Sequence, residues 1–356
     1  MTTQTSGADP RSAETGPTSP PRFGVVGGRT VAEIVMNDLQ GVIEQVRRAY
    51  LAHEDGHSAL PHSSFLRFAD KPEARIIALP AHLAPPWGVS GLKWISSFPA
   101  NVPQGLPRAS AALLLNRHDN GFPFACLEAS IISAARTAGS AVLAAQVLMP
   151  GTRRLGRLAV IGTGLIAGHV LRFLTGTGWQ IDELALHDLD PGRAQAFAAR
   201  VHDGQSARRV TQCGSSAAAI AGADLVLMAT VAGTPHLLDP MLFASVPLVL
   251  HLSLRDLGTD VMLAAHNIVD DTDHALRAGT SLALTEQACG HRGFVAGTLA
   301  QVLKGRLAPA QAGRPTVFSP FGLGVLDIAL GQWVYEEALR RGRVTMIEDF
   351  FPDTAW

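Results

Sequence analysis

Cysteine is scarce. Cys126, Cys213 and Cys289 lie far apart, with no C-x-x-C pair and no histidine at a metal-ligand spacing. That argues against a metal site or a disulfide scaffold and fits a reduced, cytoplasmic protein. Charge of one sign is lacking too. Lysine and arginine total 29 against 30 acids, so the chain has no electrostatic footprint for nucleic acid or an anionic membrane surface. No uninterrupted apolar run approaches the length of a bilayer span, and no membrane partner is expected. Residues 1–22, rich in Thr, Ser, Pro and Gly, read as a disordered tail and not as a signal peptide. No internal repeat is visible. What remains is a 356-residue chain long enough for two domains.

From about residue 24 to 150 the pattern predicts short helices and then the strands RIIALPAHL, GVSGLKWISSF, SAALLLN and FPFACLEAS. The last two join through RHDNG, whose residues tolerate positive φ, so a hairpin is expected. A long helix, SIISAARTAGSAVLAAQVL, stops at Pro150 and Gly151. Alternating α/β segments follow, with strands at RLAVIG, ELALHD, DLVLMAT, PLVLHLS and NIVDD, the pattern of a parallel sheet covered on both faces. TVFSPFGLGVLDIALGQWVYEEALRRG then reads as a strand, a turn and an amphipathic helix that return to the first domain. The expected fold class is α/β. A Rossmann domain at 151–314 sits between the parts of a discontinuous α/β domain, 23–150 and 315–356.

LAVIGTGLIAGHVLRFL places Gly162-x-Gly164-x-x-Ala167 between a strand and a helix. Gly162 permits the tight turn and Gly164 a close approach of backbone to pyrophosphate. Small Ala167 lets helix and strand pack together, and the helix N-terminus offers free N–H groups. Asp188 lies about 20 residues further on, where an acid binds the ribose 2′-hydroxyl. A carboxylate there repels a 2′-phosphate, which favours NAD. Asp190 is the alternative ribose ligand.

Cations then stand out. Lys93 lies in an apolar strand, and Gly91 on the same strand face is expected to leave space beside its ammonium. A buried amine needs a negative partner, supplied either by an internal salt bridge or by a ligand. Arg136 is the single charge in the long helix. It either grips an anion or pairs with Glu128 near the helix start. Arg75 and Arg67, bordering other strands, are surface residues or additional anion ligands. Asp256 follows LVLHLSLR at the ligand-facing end of a parallel strand. It is either a turn cap or a group that moves a proton.

In order and spacing, GLKWISSFPANVPQGLPRAS, LEASIISAARTAGSA and VIGTGLIA resemble the ornithine cyclodeaminase/μ-crystallin family. Arg108-Ala-Ser, the LEASIIS before Arg136-Thr-Ala, and VFSPFGLGVLDIA are most similar to its dehydrogenases of 2,3-diaminopropionate biosynthesis. The resemblance covers nearly everything after the tail. It implies a homodimer whose N-terminal part and C-terminal helix form a substrate and dimerisation domain around a Rossmann domain. It also implies roles for particular residues. Lys93 and Arg136 become the substrate-carboxylate and active-site cations, and Asp256 the catalytic acid/base. Gly164, Leu165 and Ile166 become the pyrophosphate turn and Asp188 the ribose ligand. Thr230, Ser253, Arg108 and Ser319 become further cofactor contacts.

The implied reaction cleaves N-(2-amino-2-carboxyethyl)-L-glutamate with NAD⁺, through an imine and its hydration, to 2-oxoglutarate and L-2,3-diaminopropionate. A pyridoxal-phosphate enzyme resembling cysteine synthase would supply the substrate, and the product would feed a siderophore or peptide antibiotic. Other members of the family are a cyclodeaminase, an alanine dehydrogenase, a ketimine reductase and a non-catalytic binding protein. The chain also departs from the family pattern. The upstream basic residue aligns on Ser63, leaving Arg67 or Arg75 to compensate. LGTD stands where cyclodeaminases carry a lysine, and TLA stands around Leu299 in place of Glu-Leu-Gly.

Overall fold

Two eight-stranded sheets organise the computed structural model, which describes residues 22–201 and 206–352. Of the expected tail, all but Arg22 lies outside the described residues; Arg22 pairs with Glu348 at 3.0 Å. The first sheet runs in the spatial order Thr345–Ile347, Phe23–Val26, Pro123–Glu128, Ala109–Arg117, Val89–Ser97, Lys71–Leu83 and Ser58–Ala59, with Ser64–Phe68 also on Lys71–Leu83. Its long strands are antiparallel, and the expected hairpin joins Ala109–Arg117 to Pro123–Glu128, with Gly121 at φ +76°. Helices were expected from residue 24. The chain first forms the strand Phe23–Val26, parallel to Pro123–Glu128, before the helices Gly28–Asn37 and Leu39–Glu54. Four residues are too few to display a period.

Alternation along Val89–Ser97 turns Val89, Gly91 and Lys93 to one face and Leu92, Trp94 and Ser96 to the other. Lys93 is 1 % exposed and Trp94 44 %. The inner face is covered by the helix Gly324–Arg340, which packs in turn on Leu39–Glu54 and Ser130–Leu148. That helix is buried on every side from Gly324 to Gly331 and on one face afterwards, at Val334, Tyr335 and Ala338. The space expected beside the Lys93 ammonium is therefore filled. A Cβ added at Gly91 would sit 2.6 Å from the Leu114 carbonyl oxygen and 2.9 Å from Ile328 Cγ2. Gly91 brings strand and helix together.

The second sheet is wholly parallel, in the order Arg209–Gln212, Gln180–His187, Arg154–Ile161, Leu225–Met228, Leu248–His251, Thr316–Ser319, His266–Val269 and Val295–Thr298. Leu225–Met228 and Leu248–His251 are buried at every position, as strands between two helical layers must be. The expected boundary at residue 315 moves. Thr316–Ser319 pairs with Leu248–His251 and His266–Val269, so the chain returns to the first domain only after Ser319. Strand order reverses between Arg154–Ile161 and Leu225–Met228, which opens a crevice at their C-terminal ends. The helix Ser130–Leu148 is long and apolar enough to cross a membrane by length and composition, but 67 % of that stretch is buried. It packs against Leu39–Glu54 and Leu165–Gly176, joining the two halves.

Gly91→Ala is expected to destabilise the fold by about 1–3 kcal/mol, because the obstructing atom is backbone and cannot swing aside. A urea midpoint unchanged from wild type would show that sheet and helix can separate freely at this point.

Candidate active site

Gly162 closes the strand Arg154–Ile161 at φ +88°, and a Cβ there would lie 2.7 Å from the Ala229 carbonyl oxygen. Gly164 begins the helix Leu165–Gly176 with no side-chain cap. A Cβ on it would meet nothing within 4 Å, and Leu165 is 67 % exposed. The first helical turn is thus open to a ligand, while Ala167 is fully buried beneath it. Asp188 braces this turn, accepting from Thr163 N at 2.8 Å and Thr163 Oγ1 at 2.9 Å. Burial would raise its carboxyl; bonds from the Thr163 and Asp190 N–H groups and the Thr163 hydroxyl outweigh that and lower it. Asp190 is engaged elsewhere, accepting from Gly192 N at the next helix. These residues suit a dinucleotide, with the helix N-terminus for its pyrophosphate and Asp188 for a ribose.

Two cavities, of about 240 and about 260 Å³, open side by side and share Arg136 and Phe321. The first is walled by Ile166, Ala229, Thr230, Leu252, Ser253 and Pro320, nearly all from the ends of parallel strands. The second lies over the first sheet. Its wall includes Arg67, Arg75, Lys93, Arg136 and Arg255, and no acidic residue lines it among the described residues.

Both readings of Lys93 meet here. Its Nζ donates to Asp327 Oδ2 at 2.7 Å and to Ser133 Oγ at 3.1 Å, so the internal ion pair is present, and the third N–H is left for the cavity. Arg136 Nε donates to Asp327 Oδ1 at 3.1 Å. Glu128 is not its partner: that carboxylate caps the helix start, accepting from Ser130 N and Ile131 N. Burial pushes the Lys93 ammonium down to about 8, with Asp327 opposing the shift and Arg136 adding to it. The crossing segment is fixed as well. Asp270 accepts from Phe321 N at 2.9 Å and Gly322 N at 2.7 Å, and Gly322, at φ +95°, leaves no room for a Cβ beside Arg136 Nη1.

Asp256 is fully buried behind the first cavity's wall. Thr230 Oγ1 donates to its Oδ1 at 2.5 Å, Ser253 Oγ donates to its Oδ2, and His251 Nε2 lies 3.3 Å from Oδ2. Burial alone would raise its carboxyl, but His251, Ser253 and Thr230 together hold it at about 2. Thr230 and Ser253, not Asp256, face the cavity. Ser319 is buried as well, its hydroxyl 3.0 Å from His251 Nδ1, and it stands off the cavity wall. Arg108 also lines neither cavity; its Nε donates to Ser97 Oγ at 3.3 Å. Arg67, Arg75, Lys93 and Arg136 thus meet at one cavity, while Asp327, His251, Asp270 and Arg255 were not singled out from the sequence. Asp327 had a signal, being the lone acid in the apolar run GVLDIAL.

A profile of the ornithine cyclodeaminase/mu-crystallin family matches residues 29–342. The chain belongs to this family. Alanine dehydrogenase of Archaeoglobus fulgidus is 26 % identical over 327 residues, covering 89 % of this chain and 95 % of that protein. N-((2S)-2-amino-2-carboxyethyl)-L-glutamate dehydrogenase of Staphylococcus aureus is 25 % identical over 311 residues, covering 85 % and 91 %. The solved structure of an archaeal alanine dehydrogenase dimer with bound NAD superposes with a TM-score of 0.81 at 22 % identity, covering 93 % of this chain and all of that one (100 %). The family fold is therefore the one described above.

The lowered Lys93 makes stability depend on pH. The unfolded chain binds more protons than the folded one between about pH 8 and the unperturbed value near 10.5, so wild-type stability gains across that window. In Lys93→Met that gain is expected to be absent. Urea midpoints for both proteins from pH 7 to 11 read the difference, and parallel curves would mean the ammonium is not strained by burial.

Proposed function

We propose that this chain cleaves N-(2-amino-2-carboxyethyl)-L-glutamate oxidatively to L-2,3-diaminopropionate and 2-oxoglutarate. It is an NAD-dependent oxidoreductase acting on CH–NH bonds, and the reading of its substrate rests on one observation. Five cations line the second cavity with no acid among them, and Asp327 beneath offsets a single charge. Uncompensated cations in a confined space favour a ligand with several carboxylates. The proposed amine carries three. Alanine or ornithine, with one carboxylate each, would leave most of those guanidiniums unmatched.

NAD⁺, when bound at the Gly162–Ala167 turn, supplies the hydride acceptor for the glutamate-derived α-carbon. The protein's residues do the rest. Lys93 and Arg136 hold the α-carboxylate beside the junction of the two cavities, and Arg67 and Arg75 take carboxylates further out. Water adding to the imine carbon loses a proton to Asp256 by relay through the Ser253 or Thr230 hydroxyl. The same group returns the proton to nitrogen as the carbon–nitrogen bond breaks, and the hemiaminal hydroxyl gives up its own proton as the carbonyl of 2-oxoglutarate forms. The hydrogen bonds from those two hydroxyls to Asp256, and their place on the cavity wall, support the relay.

A homodimer belongs to this proposal. The outer face of the first sheet, with Trp94 44 % and Leu66 48 % exposed, has no helix over it among the described residues and suits a second copy. Trp94→Glu is expected to halve the mass seen by sedimentation; a wild-type protein already sedimenting as a monomer would remove the idea. The pathway partner is proposed as a pyridoxal-phosphate enzyme that makes the amine. The setting is proposed as cytoplasmic, which the three free cysteines support.

The purified protein with NAD⁺ and the synthetic amine is expected to form NADH and 2-oxoglutarate, with alanine and ornithine inert. Asp256→Asn should lose turnover by at least ~100-fold while still binding NAD⁺. Turnover of alanine or ornithine in place of the amine would keep the family and discard this substrate.

A further inference from the structure

Arg255 borders the second cavity from the opposite side to Arg67 and Arg75, which face it from the first sheet. Its guanidinium is held in place. Nε donates to the Gly279 carbonyl at 3.2 Å and Nη2 to the Ala278 carbonyl at 2.6 Å. A third bond, from Ser281 N to the Leu254 carbonyl at 2.7 Å, ties the same two loops together. Leu254 at φ +71° and Ala278 at φ +54° are the two non-glycine residues with positive φ among the described residues, and both line this cavity. Backbone strain concentrated at one mouth is a mark of a built site. Across from it, Arg75 is held by its backbone in the first sheet, while its partly exposed guanidinium makes no hydrogen bond or ion pair among the described residues. Burial lowers its pKa most, the guanidiniums of Arg108, Arg255 and Arg67 lower it further, and Glu73 opposes them. Cations gathered around one cavity are stabilised when an anion sits between them.

We propose that Arg255 and Arg75 form a two-domain clamp for a substrate carboxylate remote from the reacting carbon, and that this clamp selects substrates with a distal carboxylate over monocarboxylate amino acids. The inference rests on the multi-carboxylate reading of the cavity. Arg255 contributes from the dinucleotide domain, Arg75 from the sheet domain, and the ligand spans the mouth between them. Because Arg255 directly precedes Asp256 in the chain, an occupied clamp also steadies the loop that carries the proton-transfer group.

The test uses the full-length protein loaded with NAD⁺. For Arg255→Gln, which keeps a donor for the Ala278 carbonyl, KM for the amine is expected to rise ~50-fold or more while kcat changes much less. Arg75→Gln should do the same, and since the Arg75 guanidinium supports no internal bond among the described residues it remains informative if Arg255→Gln fails to fold. An unchanged KM in either folded variant, with the wild type active on the amine, overturns the clamp and leaves the substrate reading intact. Calorimetry with glutarate separates the two ideas. If the wild type ignores the amine yet binds glutarate, and both variants lose that binding, the clamp stands and the substrate reading falls. Glutarate binding retained by a variant counts against the clamp.

Discussion

One buried carboxylate, Asp327, holds two cations from different parts of the chain. Lys93 comes from a strand of the first sheet, Arg136 from the central helix, and Asp327 from the C-terminal helix. Each ion alone would be expensive in so dry a place, and removing the acid would leave two positive charges facing each other without compensation. The triad therefore locks strand, central helix and C-terminal helix in a single register. The cavity it borders inherits that register, with Arg136 reaching both sides and one Lys93 N–H left for a ligand. The cluster still carries excess positive charge, which is the charge that the proposed anion site uses.

The dinucleotide side is built on another principle. There the backbone does the binding work, through an open helix start and a glycine turn braced by Asp188. Asp256, the proposed acid–base group, is kept back from solvent. Asp256 sits in a nest of Thr230, Ser253 and His251 that keeps it ionised despite burial. Thr230 and Ser253 stand between Asp256 and the first cavity, and His236 Nε2 lies 3.9 Å from the carboxylate's Oδ1. Ser319 belongs to this assembly through His251 and not to the cavity surface.

Local signals made much of this visible in advance. The glycine turn, the five parallel strands, the hairpin and the limits of Ser130–Leu148 all follow from short-range patterns that the chain cannot easily escape. Lone charges in apolar runs led to Lys93 and Arg136, and the same logic applied to GVLDIAL would have led to Asp327. What stayed hidden depends on pairing across long separations. Nothing near residue 136 says that its partner lies at 327 and not at 128. Nothing in TVFS shows that this strand inserts between two others of the parallel sheet. Gly91 was read as empty space because the helix that fills it lies more than two hundred positions away. Arg255 carries no signal in the sequence; its two carbonyl partners place it at the cavity.

Residues 316–347 complete both halves of the molecule: a strand inside the parallel sheet, the helix that covers the first sheet, and an edge strand beside Phe23–Val26. During synthesis, neither half can close its core until this stretch has left the ribosome. The parallel sheet waits with a gap between Leu248–His251 and His266–Val269, and Lys93 waits for its counter-ion. Such late, long-range completion slows folding and leaves apolar surface uncovered in the interval, so the protein's yield in a cell should depend on chaperone capacity more than its final stability suggests.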